Sequence, residues 1–456
     1  MSTAKVVAAF RERFPDRVST AAAVREHHCQ TVTWLPRQPP EAVVTAEDTG
    51  EVSWIVARCA EHGVPVIPFG AGSSLEGQLN APRGGICLDL SKMDKVLRVS
   101  ADDLTATVQP GVTREELNRR LRDSGLFFPV DPGANASLGG MASTRASGTN
   151  AVRYGTMREN VRELEVVLPD GRITRAGSLA RKSSAGYDLA HLFVGAEGTL
   201  GVITELTVRL YQVPERIGSG VCSFPSVHAA CRAVTDALAA GLGLARIELL
   251  DEASVRACNE YSGLGLDEKV HLFFELHATD AVLPSEARLL GEILAEHGGG
   301  RFEWSTDQAA RTKLWRARHD AWWAIHARYP GRKGIPTDVC VPISRLAECV
   351  ELTQQDILAT GADAPIIGHV GDGNFHLLVM IDESDAAVVT RARELVHRLT
   401  ERAIAMGGTC TGEHGVGQGK AGAMVLEHGA AVDVMREIKR ALDPRDIMNP
   451  GKILPV

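Results

Sequence analysis

Val64-Pro65-Val66-Ile67-Pro68-Phe69-Gly70-Ala71-Gly72-Ser73-Ser74-Leu75-Glu76-Gly77-Gln78 begins as a short apolar, β-branched run and breaks directly into a Gly/Ser loop. Ahead of it, Ala42-Val43-Val44 reads as a strand, and the stretch from Thr45 to His62 as a helix with Val52, Ile55, Val56 and Cys59 on one face. Strand, helix, strand in this order predicts a small βαβ unit. Glycine permits unusual φ and close backbone approach, so loop 70–77 suggests amides laid against a phosphate-rich ligand. A second small-residue tract, 132–155, reads either as another such loop or as a close-packed connection. The dinucleotide fingerprint G-x-G-x-x-G fails here because Leu75 stands at the third glycine position. A P-loop fails at Gly415-Val416-Gly417-Gln418-Gly419-Lys420, where His414 replaces the first glycine and Ala421 the Ser/Thr.

Further strands are predicted at 85–90, 105–109, near 163–167 and 202–210, with a helix from Thr113 to Ser124 in which Thr113 caps and Glu116 takes the capping-box position. From about Pro214 the texture shifts to longer helices alternating with strands, such as 228–241 and 270–276. The expected class is α+β, with a helical N-terminal segment 1–35, a domain 36–214 and a domain 215–456. A hydrophobic share of 44%, a charged share of 23% and a net charge of −8 argue against a nucleic-acid or polybasic membrane binder. Nine scattered cysteines without a C-x-x-C pair argue for reduced thiols and against a disulfide scaffold or an iron–sulfur cluster. Neither a signal-peptide core nor about 20 uninterrupted apolar residues is found, so the expected location is cytoplasmic, peripheral to the inner face of a membrane at most.

A second chemical signal lies at Gly368-His369-Val370-Gly371-Asp372-Gly373-Asn374-Phe375-His376, turn chemistry between apolar runs that predicts a β-hairpin. With Gly371 to Asn374 as the loop, His369 faces His376, and directly opposed Cβ atoms stand roughly 4.5–5.5 Å apart, close enough to share a divalent ion. Glu413-His414, wrapped in glycines, adds a third ligand and a spare base. Asp372 reads as turn chemistry, and Asn374 either as a substrate contact or as a left-handed loop residue.

Pro68 to Ser74, Pro132 to Gly140, Arg153-Tyr154-Gly155 and Gly195-Ala196-Glu197-Gly198-Thr199-Leu200-Gly201-Val202-Ile203-Thr204 together resemble the FAD-binding signature of the vanillyl-alcohol-oxidase (PCMH-type) superfamily. With 368–376, Gly412 to Gly415 and Met448-Asn449-Pro450-Gly451-Lys452, nearly the whole chain resembles the FAD-linked D-lactate dehydrogenase and glycolate oxidase large-subunit family. Thr337 to Ser344 points to its cytochrome-linked D-lactate dehydrogenases. The resemblance implies a PCMH-type domain of two α/β subdomains, then an FAD-linked-oxidase domain with a helix-covered antiparallel sheet, the tail 441–456 returning to the flavin.

By position, the resemblance assigns FAD contacts to Pro68, Phe69, Gly70, Ala71, Gly72, Ser73, Ser74 and Gly77 in the first loop. It adds Pro132, Gly133, Ala136, Leu138, Gly139, Gly140, Ala142, Ser143, Ser147, Gly148, Arg153, Tyr154 and Gly155 in the second. Glu197, Gly198, Gly201, Ile203 and Asn449 complete the set. Ser73 stands where covalently flavinylated relatives often carry histidine, so non-covalent FAD is expected. His369, His376 and Glu413 are the implied metal ligands, for Zn²⁺ first and Mn²⁺ or Fe²⁺ as alternatives. His414 is the implied base, with Arg318 rather than Arg316 and Asn374 as substrate contacts; Trp322 and Trp323 line the pocket or serve packing. Pro336 replaces a lysine typical of relatives acting on 2-hydroxyglutarate, which favours a monocarboxylic acid, although Lys333 is near.

The expected activity is oxidation of a D-2-hydroxy acid, D-lactate to pyruvate before others. Glycolate oxidase catalytic subunit and D-2-hydroxyglutarate-type dehydrogenase are the alternatives. The expected acceptor is a cytochrome, a quinone or an electron-transfer protein, with no nucleic-acid partner and with a homodimer as the assembly considered.

Overall fold

The computed structural model describes residues 2–31 and 33–455; Met1 and Val32, within the expected N-terminal segment, lie outside them. The chain divides into two units, one of Met1–Ser147, Gly155–Val213 and Glu413–Val456, the other of Gly148–Tyr154 and Pro214–Gly412. The two units are thus interleaved in sequence.

In the first unit, a four-stranded sheet runs in the order Val18–Ser19, Ala42–Thr45, Ile86–Asp89, Val66–Phe69, the last three parallel. The helix Thr49–His62 starts where the Asp48 side chain accepts the Glu51 N–H, and ends at Gly63, whose φ of 63° suits glycine. Its buried stripe is Val52, Ile55, Val56 and Cys59, and each aliphatic member contributes on the order of 1.5–3 kcal/mol. The N-terminal segment is not purely helical. Ser2–Arg13 and Ala22–His27 are helices, but Val18–Ser19 between them pairs antiparallel with Ala42–Thr45 at the edge of the sheet.

The second sheet of this unit is antiparallel, in the order Val96–Ser100, Thr105–Val108, Val202–Arg209, Val161–Val167, Ile173–Gly177. Helix Arg114–Leu121 is capped by Thr113, but Glu116 turns to Arg119 and Arg120, the nearer charged partners on the exposed face. The chain returns from residue 413 rather than only from 441. Met448 bridges Val66 in parallel, with Val66 N donating to Ile447 O and Asn449 N to Val66 O, both at 2.8 Å.

The second unit is built on one antiparallel sheet in the order Glu303–Ser305, Arg216–Phe224, Val270–Ala278, Leu244–Leu250, Ile366–Gly368, Asn374–Ile381, Lys333–Pro336. Val339–Cys340 also pairs with Asn374–Ile381. Seven helices of eight or more residues accompany it, among them Gln308–His319 and Ala321–Arg328. A cluster of Leu250, Phe273, Trp315, Ile325, Leu378 and Met380 anchors these two helices. No helix among the described residues is long and apolar enough to cross a membrane.

Candidate active site

The expected hairpin forms, with a different register. Ile367 lies opposite His376 and Ile366 opposite Leu377, so His369 stands just past the strand end, diagonal to His376. The loop is longer than read because His369 O accepts both Asp372 N and Asn374 N, while Gly373 takes the left-handed φ of 79°. Asn374 opens the next strand and is not the left-handed residue. The shift is two residues, an even number, so both histidines keep the same face. Their ring centroids are 5.4 Å apart, and a ligand nitrogen of each lies within 4.8 Å of the other's.

The neighbouring strands supply a partner for each ring. Leu249 opposes Gly368 and Leu250 opposes Ile367, which sets Glu248 opposite His369; its carboxylate accepts His369 Nδ1 at 2.7 and 2.9 Å. Val339 opposes Phe375, which sets Asp338 opposite His376. His376 Nδ1 donates to Thr337 O at 2.9 Å and lies 3.7 Å from Asp338 Oδ1. With both Nδ1 atoms engaged, Nε2 is the nitrogen each ring offers a metal, the arrangement by which outer partners fix tautomer and ring orientation. Zn²⁺, Mn²⁺ or Fe²⁺ fits this donor chemistry.

Asp338 holds the end of the hairpin. Its Oδ1 accepts Asn374 Nδ2 at 2.7 Å and its Oδ2 accepts Thr411 Oγ1 at 2.7 Å. Asn374 Nδ2 also donates to Val339 O at 2.9 Å, while Asn374 Oδ1 is buried without a hydrogen-bond partner. Helix Gln308–His319 buries Trp315 and Arg318 and leaves Arg316 82% exposed. Arg318 Nη2 donates to Glu248 at 2.6 Å, so one carboxylate orients His369 and balances Arg318; Arg318 Nε is buried and unpartnered. Trp322 packs on His326 within the apolar cluster, and Trp323 is 59% exposed. Lys333 pairs with Glu383 at 3.0 Å.

Glu248 and Asp338 were not assigned as site supports from the chain. A glutamate inside the otherwise apolar run Ile247-Glu248-Leu249-Leu250 was the available signal.

In the first unit, the glycine loops leave hydroxyls waiting for a partner: Ser74 Oγ and Ser137 Oγ are buried with none. A Cβ at Gly139 would stand 2.4 Å from Pro110 Cβ and 2.9 Å from Pro110 Cα, so this position needs glycine, and Gly70 packs against the Ser137 hydroxyl. Gly72 and Gly77 take φ of 72° and 74°. A cavity of about 810 Å³ opens on Gly70, Ala71, Gly111, Thr113, Glu116 and Ser137. These hydroxyls and the backbone cradle fit a flavin dinucleotide's phosphates. Gly148, Arg153 and Tyr154 belong to the second unit, where Tyr154 donates its hydroxyl to His277 Nδ1 at 2.7 Å.

Glu197 adopts φ of 50° and accepts Val416 N at 2.6 Å and Gly417 N at 2.8 Å. Burial pushes its carboxyl up to about 7, against the pull of those amides. Asn449, at φ of 37°, donates to Glu197 O at 2.7 Å and Gln78 O at 3.2 Å. Lys452 Nζ donates to Asn80 O, and burial lowers its ammonium to about 8. His414 O accepts Gln78 Nε2, and its ring lies between Glu76, 3.8 Å from Nδ1, and Glu413, 4.0 Å from Nε2.

Residues 40–177 match the model of an FAD binding domain, and residues 213–453 that of the FAD linked oxidases, C-terminal domain. The fold and its loops thus define a flavoprotein. The p-cresol methylhydroxylase structure with substrate bound shares this fold at a TM-score of 0.81, with 19% identity over 99% of this chain and 96% of that one. The chain is 49% identical to a probable mitochondrial D-lactate dehydrogenase of Danio rerio, over 99% of this chain and 92% of the relative. It is 34% identical to glycolate oxidase subunit GlcD of Bacillus subtilis, over 96% and 94%. The protein belongs to the FAD-linked oxidase family of D-lactate dehydrogenases and glycolate oxidase subunits, and is an FAD-dependent hydroxy-acid oxidoreductase.

Proposed function

We propose that the protein oxidises a D-2-hydroxy acid, D-lactate to pyruvate before others, with a divalent metal held by His369, His376 and Glu413. The observation that carries this reading is the histidine pair with both Nδ1 atoms fixed by Glu248 and Thr337. When bound, FAD supplies the hydride acceptor, and the ion a Lewis acid for the substrate hydroxyl. Arg318, buried with an unpartnered Nε beside its Glu248 contact, would take the substrate carboxylate, and Asn374 Oδ1 would accept a hydrogen bond. His414 would receive the hydroxyl proton. Lys333 is committed to Glu383 and Pro336 carries no charge, which supports a monocarboxylic substrate over 2-hydroxyglutarate. The loops of 68–77, 132–155 and 195–204 would hold FAD non-covalently, and the Thr337 to Ser344 motif supports a cytochrome as acceptor.

Metal content and turnover after chelation test the metal. Activity should fall with the ion and return on adding Zn²⁺ or Mn²⁺; full turnover by metal-free enzyme overturns this part of the proposal.

A further inference from the structure

Glu76 sits in the first glycine loop, where neither the flavin nor the metal reading gives it a task. It is 3% exposed, and its Oε1 has no hydrogen-bond partner, although His414 Nδ1 lies 3.8 Å and Lys420 Nζ 3.4 Å away. A carboxylate removed from water is costly unless it is paired; Lys420 supplies the pairing charge, and the same oxygen faces His414 Nδ1.

The backbone around it is pinned. Glu76 N donates to Gln78 Oε1 at 2.9 Å, and Glu76 O accepts Gln418 N at 2.8 Å and Gly419 N at 3.1 Å. Gln78 in turn donates its Nε2 to His414 O at 2.9 Å. Glycine is required for this approach: a Cβ at Gly417 would stand 2.1 Å from Glu76 O, and one at Gly419 2.3 Å from Glu76 Oε2. The segment that carries His414 is therefore laid against Glu76 on both sides of the carboxylate.

We propose that Glu76 is the positioning residue for His414. Its charge, 3.8 Å from Nδ1, favours the tautomer with the proton on that nitrogen and leaves Nε2 as the nitrogen that receives the substrate's hydroxyl proton. Lys420 balances the carboxylate's charge and does not act on the substrate. This inference rests on the reading of His414 as the base.

The test is anaerobic, single-turnover flavin reduction by D-lactate with the FAD-loaded enzyme and its variants Glu76→Gln, Glu76→Asp, Lys420→Met, His414→Asn and the double variant Glu76→Gln/His414→Asn. A general base contributes about 10²–10⁴-fold, and loss of its orientation should forfeit part of that, about 10- to 100-fold in the limiting rate of Glu76→Gln. Half-saturating D-lactate and the flavin spectrum should stay as in the wild type. Glu76→Asp, which keeps the charge, should recover part of the rate; Lys420→Met, which leaves the carboxylate facing His414, should lose less than Glu76→Gln. The double variant should be no slower than His414→Asn alone. Wild-type reduction by Glu76→Gln beside an inactive His414→Asn overturns the positioning role and leaves the base. Equal losses in Glu76→Gln and Lys420→Met overturn it in favour of a plain ion pair. Wild-type reduction by His414→Asn overturns the base reading itself.

Discussion

Replacing Glu248 with glutamine should weaken both the second unit and its proposed metal site, by an amount the contacts set. The carboxylate accepts His369 Nδ1 at 2.7 and 2.9 Å and Arg318 Nη2 at 2.6 Å, with the Glu248 and Arg318 side chains 0% and 7% exposed. Glutamine keeps the shape and one acceptor, but turns an NH₂ group toward one of two donors and leaves the guanidinium without its counter-charge. Hydrogen bonds to charged groups contribute about 1.5–3 kcal/mol, and breaking a buried ion pair costs about 3–5 kcal/mol. The expected loss is therefore about 3–5 kcal/mol, together with a 10- to 100-fold weaker hold on the metal as His369 loses its orientation. Four of the six tryptophans, Trp304, Trp315, Trp322 and Trp323, lie in this unit, so urea unfolding followed by tryptophan fluorescence reports chiefly on it. Calorimetric titration of the stripped protein with Zn²⁺ gives the affinity. A stability loss under about 1 kcal/mol with unchanged Zn²⁺ affinity would refute the argument, because glutamine would then serve both partners as well as the carboxylate does.

Three other perturbations follow from the same contacts. Gly139→Ala places a methyl group 2.4 Å from Pro110 Cβ and 2.9 Å from Pro110 Cα, so the purified variant should carry much less flavin absorbance per protein; a fully yellow variant contradicts the cradle. Burial pushes the Glu275 carboxyl up, but His277, Arg246 and Ser219 pull it down to about 2 from 4.5. A depressed acid stabilises the fold above its unfolded value, so roughly 3 kcal/mol should be lost as pH falls from about 4.5 to about 2, and Glu275→Gln should flatten that acid limb in pH-dependent melts. Tyr154→Phe leaves His277 Nδ1 without its 2.7 Å donor and should cost about 1–3 kcal/mol. Adding His277→Phe should cost less than the two single losses summed, and strict additivity would show the pair uncoupled.

The parts of this structure that were legible in the chain are those set by local chemistry. Helix Thr49–His62 follows from its apolar stripe, although Thr45, read as its start, ends the preceding strand and Asp48 caps the helix, and the hairpin follows from the dense turn residues between two apolar runs. The register was misjudged because His369 O takes two loop amides and Gly373 tucks against Val341 O, which a count of turn residues does not reveal. The even slip preserved the face, so the histidine pair survived the error. Glu248 was missed because its partner lies 121 positions further along, and strand order, not spacing, brings them together. The return of 413–440 was likewise hidden, and that of the tail 441–456 was legible only by resemblance, because the bridge of Met448 to Val66 joins residues with no shared local pattern. Arg318 was separable from Arg316 only by resemblance; one is buried on Glu248 and the other points to solvent.

The proposed reaction is hydride transfer from a D-2-hydroxy acid to the flavin at a metal-assisted site. Anaerobic mixing of the yellow enzyme with D-lactate, L-lactate, glycolate, D-2-hydroxybutyrate and D-2-hydroxyglutarate, before and after chelation, tests it most directly. The account predicts rapid bleaching by D-lactate, little by L-lactate or D-2-hydroxyglutarate, and loss of the D-lactate reaction once the metal is removed. Rapid bleaching by D-2-hydroxyglutarate with D-lactate inert, or D-lactate bleaching untouched by chelation, would contradict it.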